Sequence, residues 1–361
     1  MGAWPAIAMK TLPRLVLVIL ATLVLTELGY RGFRAWAGQV PPHPDPSVAA
    51  EWDWAQEHLA LGTANTASHV RHDPDLGWRV QAKVRPAVGG PKVRRKRTPG
   101  VPRVVFTGDS FMRELGWLGP TFQPEWEVIN LAVQGYGAGQ AWLRFRQRAA
   151  KLQPDVAVFG LYLRDYFRVF RSFRSYAKPT FALGPDGEVV VGNVPVIAPE
   201  ALYEAYVTGE RTIGLPHRSY VVDVIGERWN LYQRQFFGID EAQFALFAAI
   251  LRSFRDDARA VGACPLLLIF PTRPEDYDGT VYEEIDRRTR ALADELGLPR
   301  VALAEALYDG ASDAERLALF NEGHGAHMSE HGRAEAVRVL HEAFDALVPA
   351  TCRPDRAGDG A

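Results

Sequence analysis

Cysteine is almost absent: Cys264 and Cys352 are the only two in 361 residues. Two thiols so far apart build neither a disulfide framework nor a metal cluster, and they read as one core thiol and one tail thiol. An excess of positive charge is missing as well, since 41 Lys and Arg stand against 43 Asp and Glu for a formal charge of -2. That balance argues against a nucleic-acid partner, because binding by counterion release needs basic residues well beyond the acids. Compositional bias is lacking too: 47% hydrophobic and 23% charged residues exclude a collagen-like, repetitive or largely disordered chain. The length allows one large domain with insertions or two small ones, each with a sizeable core.

The first apolar run is short. Between Arg14 and Glu27 lie twelve uncharged residues, signal-peptide length rather than membrane-span length. Apolar character continues on both sides, so Leu12 to Tyr30 crosses a thin bilayer if Arg14 snorkels. The small-x-small site Ala35-Trp36-Ala37 lies beyond Arg31 and Arg34, far from the run. Residues 1–38 therefore read as an uncleaved signal anchor in preference to a cleaved signal peptide, with the body exported to a periplasmic or extracellular space. Pro41, Pro42, Pro44 and Pro46 form an extended stalk, and residues 39–102 read as stalk and N-terminal extension. Within them, 49–61 suits a helix and 72–84 a short alternating stretch. Lys92 to Arg97 holds five basic residues in six, a charge cluster on a surface loop. Residues 350–361 read as a disordered tail.

From Arg103 the pattern changes. Val104 to Phe106, Val128 to Leu131, Val156 to Leu163 and Leu266 to Phe270 are short, β-branched or aromatic-rich runs, as strands buried on both faces should be. Between them, Ala138 to Leu152, Ala242 to Val261 and Val281 to Leu296 carry helix-period apolar residues, with Gly262 and Gly297 as stops. This alternation predicts a doubly wound parallel sheet in an α/β domain. An insertion of about 166–238 interrupts it, too long for a simple crossover, and caps one end of the sheet. Inside it, 180–191 reads as a hairpin turning at Gly184-Pro185-Asp186-Gly187.

Three segments carry candidate chemistry. Thr107-Gly108-Asp109-Ser110-Phe111 follows the first strand directly, the carboxyl-end position where open parallel sheets bind ligands. A serine there presents its hydroxyl above the sheet, or else Asp109 or Ser110 merely caps the next helix. Asn130 to Gly137 follows the next strand and sets the Gly135 amide at the same edge. His327, in His324-Gly325-Ala326-His327, precedes an amphipathic helix over Arg333 to Leu347, from which a histidine can reach back to a serine on the first loop. His324 and His331 flank it without a carboxylate or cysteine constellation, so no metal is expected.

These blocks resemble the SGNH or GDSL-type hydrolase superfamily. Gly108-Asp109-Ser110 matches its nucleophile block, Asn130 to Gly137 its oxyanion glycine block, and His327 with Gly332 its terminal histidine block. The resemblance spans residues 103–349 with the insertion unaligned. It implies a three-layer α/β/α sandwich on a flavodoxin-like parallel sheet with one inserted cap region. It further implies Ser110 as nucleophile, His327 as general base, the Ser110 and Gly135 amides as oxyanion donors, and no cofactor. Asp75-Leu76-Gly77-Trp78 and Tyr176-Ala177-Lys178-Pro179 are similar to membrane-tethered members near exopolysaccharide systems.

Two positions depart from that pattern. Arg164 stands where the superfamily offers an asparagine amide, and either donates in its place or pairs with Asp165 or another acid. His324 stands where the acid three residues before the histidine belongs. A histidine cannot be the anionic partner of an imidazolium, so His327 is oriented by a backbone carbonyl, by Glu322 or by an acid from elsewhere.

The expected activity is acyl transfer through an acyl-Ser110 intermediate, on an acylated carbohydrate or small ester. Water as acceptor makes the protein an esterase, and a sugar hydroxyl makes it a polysaccharide O-acetyltransferase. A third reading is a non-catalytic, membrane-anchored polymer-binding protein that retains the fold. Tyr162, Tyr166, Phe167, Phe170 and Phe173 form either a sugar platform or packing beneath the insertion.

Overall fold

A computed structural model of the chain describes residues 4–36, 70–80, 97–115, 126–174, 176–198, 201, 239–322 and 327–348. The elements in chain order are α1 (Trp4–Trp36), β1 (Val70–Asp73), β2 (Gly77–Val80), β3 (Arg103–Thr107), α2 (Ser110–Glu114), β4 (Glu127–Asn130), α3 (Ala138–Leu152), β5 (Val156–Tyr162) and α4 (Asp165–Arg168). They continue with β6 (Phe173–Arg174), β7 (Tyr176–Ala177), β8 (Thr180–Leu183), β9 (Val189–Gly192), α5 (Glu241–Ala260), β10 (Cys264–Phe270) and α6 (Pro274–Tyr277). The last are α7 (Val281–Glu295), β11 (Arg300–Ala302), α8 (Leu303–Leu307), α9 (Asp313–Ala318) and α10 (Glu330–Leu347).

Five strands form one sheet in the order β11-β10-β5-β3-β4, and every neighbouring pair is parallel. Numbered along the chain within that sheet, the order is 2-1-3-4-5, the flavodoxin-like arrangement whose switch point lies between the first and third strands. Here that point falls between β3 and β5. Both strands are buried along their whole length, which is why they read as continuous apolar runs without alternation. Right-handed crossovers place α3, α5 and α7 on one face, where α3 and α5 pack together. The other face belongs to α2 and α10, with Phe344 of α10 edge-on to Trp126 at 5.0 Å. The three-layer α/β/α sandwich is thus observed, and β11, only three residues long, is the sheet strand that carries no legible pattern.

The insertion supplies β6 to β9, with β8 and β9 paired from Thr180↔Gly192 to Leu183↔Val189 as expected of the hairpin. The β1–β2 hairpin, from the segment read as an N-terminal extension, packs on the domain through a small cluster of Leu76, Trp78, Val133 and Tyr136. The stalk, the helix expected over 49–61 and the tail lie outside the described residues.

Three expectations change. Cys264 is disulfide-bonded rather than a core thiol, because separation in sequence does not limit which thiols a fold brings together; Cys352 lies outside the described residues. Among the described residues no helix is long and apolar enough to cross a membrane. The physical reason is the bracket of Arg14 and Glu27, which leaves twelve uncharged residues, about 18 Å of helix against about 30 Å of hydrocarbon. Finally, Tyr162 and Tyr166 are buried, at 2% and 1% exposure, and Tyr166 meets Phe167, Phe170 and Phe247 edge-on. These two rings are core packing and cannot floor a sugar platform.

Candidate active site

The chain leaves β3 through Gly108, where backbone closeness excludes a side chain: a Cβ there would lie 2.5 Å from the Gly160 carbonyl oxygen of β5. This contact puts the next residues directly over the switch point. Asp109 caps α2, its Oδ1 accepting from the Phe111 amide at 2.8 Å, and Ser110 is the first residue of the helix. The capping reading weighed for Asp109 therefore applies to it. Its second oxygen accepts from Arg168 Nη1 at 2.9 Å and lies 3.4 Å from Ser110 Oγ.

Behind the serine stands a buried charge cluster. Arg168 also donates to Asp165 and to the Tyr136 carbonyl at 3.1 Å, and Lys178 donates to the Arg168 carbonyl. Burial first, and the neighbouring Asp109 charge second, push the Asp165 carboxyl well above the usual range, with Arg168 opposing. Burial alone would lower the Arg168 pKa, but the two carboxylates raise it. One guanidinium thus holds the Asp109–Ser110 turn to the end of β5.

On the other side of the serine, His327 Nε2 lies 3.4 Å from Ser110 Oγ. The histidine is held by its own backbone, since the Asn321 amide donates to its carbonyl at 2.9 Å. A bridge between Phe320 and Met328 and the Arg333 bond to the Met328 carbonyl fix the turn into α10. The imidazole rests on Phe111 at 5.1 Å between ring centroids, and Phe111 in turn stacks on Tyr162 at 3.9 Å.

The group that orients His327 is Glu114. Its carboxylate accepts from His327 Nδ1, and its other oxygen is 3.7 Å from Arg333. Hydrogen bonding to Glu114 raises the His327 pKa above its ordinary value, against the opposing effect of burial. Sequence reasoning missed this residue by name. The signal was present, for positions four apart on a helix share a face and Glu114 is four beyond Ser110. Glu322, the named candidate, is exposed, and His324 lies outside the described residues.

The expected oxyanion block shows Gly135 at φ +80°, a left-handed conformation that suits glycine. Its loop is pinned from several directions. Asn130 donates to the Met112 carbonyl at 2.9 Å and accepts from the Ala132 amide at 2.8 Å. Trp78 Nε1 donates to the Gln134 carbonyl at 3.0 Å, and the Tyr136 hydroxyl donates to the Trp78 carbonyl. Arg164 lies elsewhere. Its guanidinium pairs with Asp276 at 2.5 Å, both side chains being about two-fifths exposed, and lies over the Tyr282 ring. The pairing weighed with Asp165 does not form, because Arg168 occupies that carboxylate.

A cavity of about 630 Å³ opens beside the His327 turn, with Arg273, Phe320, Asn321, Glu322 and Ser329 in its lining.

No family model and no curated protein matches the chain. Among solved structures, it is similar to a lipase/acylhydrolase from Enterococcus faecalis, with 11% identity over 68% of this chain and 96% of that one at a TM-score of 0.39. It is also similar to a GDSL-like lipase from Bacteroides thetaiotaomicron, with 15% identity over 81% and 98% at 0.34. A third is TesA, with 15% identity over 68% and 99% at 0.39.

Proposed function

We propose that the protein is a serine-dependent ester hydrolase acting through an acyl-Ser110 intermediate. The observation that carries the reading is the continuous relay Ser110 Oγ, His327 Nε2, His327 Nδ1, Glu114. In the forward step Ser110 Oγ attacks the ester carbonyl carbon while His327 Nε2 takes the hydroxyl proton, and the carbonyl electron pair moves onto oxygen. Collapse expels the alcohol, which receives that proton from His327. Water then repeats the sequence on the acyl-serine and restores the free enzyme. Glu114 stabilises the imidazolium present in both tetrahedral stages, and the Ser110 and Gly135 amides are the oxyanion donors in this reading.

For the substrate we favour an acylated carbohydrate. The cavity near the turn that carries His327 is lined by Arg273, Asn321, Glu322 and Ser329 together with Leu317 and Phe320, a mix of polar and apolar groups that suits a polyhydroxylated ligand. A sugar hydroxyl taking the acyl group in place of water would make the same site an O-acetyltransferase. For the location we favour an exported body held at a membrane surface. Leu15, Leu17, Leu25 and Leu28 of α1 are all more than half exposed, and the disulfide at Cys264 suits an oxidising compartment.

The deciding experiment is labelling by a fluorophosphonate probe together with hydrolysis of an activated acetate ester. Labelling mapped to Ser110 and abolished in His327→Ala, with turnover lost in Ser110→Ala, supports the reading. Full turnover in folded Ser110→Ala removes the Ser110 assignment, whereas neither labelling nor turnover in the wild-type protein leaves the polymer-binding alternative. Mass analysis of products formed with an oligosaccharide present separates water from sugar as acceptor.

A further inference from the structure

We propose that Arg174, carried by the insertion, is the side-chain donor of the oxyanion cradle and occupies the role that the sequence pattern suggests for position 164. The inference rests on the serine-hydrolase reading and adds a catalytic residue to it. Arg174 closes the two-residue strand β6, paired with Tyr176 of β7. Its side chain lies on Gly135: a Cβ built on that glycine would be 3.4 Å from Arg174 Nε, 3.9 Å from its Cδ and 3.5 Å from Trp78 Cζ2.

The placement is built from both sides. The Ala177 carbonyl of β7 would be 2.4 Å from a Cβ on Gly77, so the arginine's hairpin docks tightly on β2. The next residue of β2, Trp78, is tied by its indole to Gln134, immediately before Gly135. The hairpin base is closed by the Lys178 amide on the Ser172 carbonyl at 2.9 Å. A flexible cation is a poor oxyanion donor because ordering it costs conformational entropy at the moment of reaction. Here the stem lies beside Gly135 on a hairpin docked to β2, so it is placed before substrate arrives. Its charge also acts on the buried cluster behind the serine, where it lowers the Asp165 pKa. Arg164 is paired with Asp276, which lies in the segment after β10. Gly135 is glycine for its left-handed backbone, and the arginine stem lies within van der Waals reach of the position where a side chain would begin.

A donor that meets charge developing on oxygen lowers the barrier without tightening ground-state binding. Arg174→Met keeps the aliphatic packing on Gly135 and Trp78 and deletes the donors; Arg174→Gln keeps a neutral donor on a shorter stem. Turnover is measured per serine titratable by fluorophosphonate, which normalises for any loss of folded protein. Arg174→Met should lower kcat on an activated acetate ester about 10²- to 10³-fold with KM nearly unchanged. Arg174→Gln should recover part of the loss, and Arg164→Ala should leave kcat near wild type. An unchanged kcat in Arg174→Met, or a rise in KM alone, overturns the assignment. So does a loss in Arg164→Ala equal to that in Arg174→Met. Retained turnover in Ser110→Ala is a separate result, which removes the acyl-Ser110 reading itself.

Discussion

Glu114 accepts a hydrogen bond from Nδ1 of His327, so the carboxylate and the serine that flank this histidine lie one turn apart on a single helix. In the arrangement suggested by the sequence blocks, the acid would precede the histidine on its own loop. Here α2 carries both partners of the imidazole, and the turn before α10 delivers only the histidine. The separation of Ser110 and Glu114 is thereby fixed by helical geometry, and movement of the 327–329 turn would break both contacts together.

Glu114→Gln should lower kcat by about 10² to 10⁴, the range bounded by loss of an orienting acid from a related relay. The pH profile gives the sharper test. His327 acts as a base only when neutral, and Glu114 raises its pKa, so wild-type activity should rise with pH through a midpoint above the ordinary histidine value of about 6.5. In Glu114→Gln the raising interaction is gone while the burial that lowers the pKa remains. The midpoint should move to lower pH even as the plateau falls. An unshifted acid limb in kcat/KM would show that Glu114 does not control the histidine.

The buried charge cluster predicts an asymmetry between its members. Arg168→Met leaves Asp109 and Asp165 facing one another without the guanidinium that hydrogen-bonds both, and loss of one partner from such a buried set costs about 3–5 kcal/mol. Asp165→Asn should cost far less, since burial and Asp109 already favour the uncharged form of that carboxyl. Chemical denaturation of the two variants compares them directly. Equal losses would mean that Asp165 is needed as an anion.

Much of this site was legible because its parts are local. Ser110 and Gly135 each sit within a few residues of a strand end, where a short motif and a short apolar run occur together. His327 sits just before an amphipathic helix. Glu114 was hidden because its role depends on closure of a contact across 213 residues, and a glutamate near the end of a five-residue helix looks like any solvated acid. Arg174 was hidden for a different reason: β6 and β7 are two residues each, too short to show any period, and their placement depends on docking to β2. The Arg164 expectation followed the motif position faithfully, but a motif fixes where a residue enters the chain and not which partner its long side chain finds.

Arg164 itself supplies the last prediction. Its ion pair with Asp276 is short, yet both side chains are about two-fifths exposed, and pairs in that setting contribute at most about 1 kcal/mol. The guanidinium also covers the face of Tyr282, with 5.7 Å from its carbon to the ring centroid, a contact of about 0.5–1 kcal/mol at an exposed site. Arg164→Ala should therefore lower the melting temperature by a few degrees at most, with a double-mutant cycle against Asp276→Ala assigning the pair's share. Raising salt should shrink that coupling, because exposed charges are screened. A coupling well above 1 kcal/mol that resists salt would mean that the pair is sealed from solvent, and would place α4 and the segment after β10 in one rigid wall of the site.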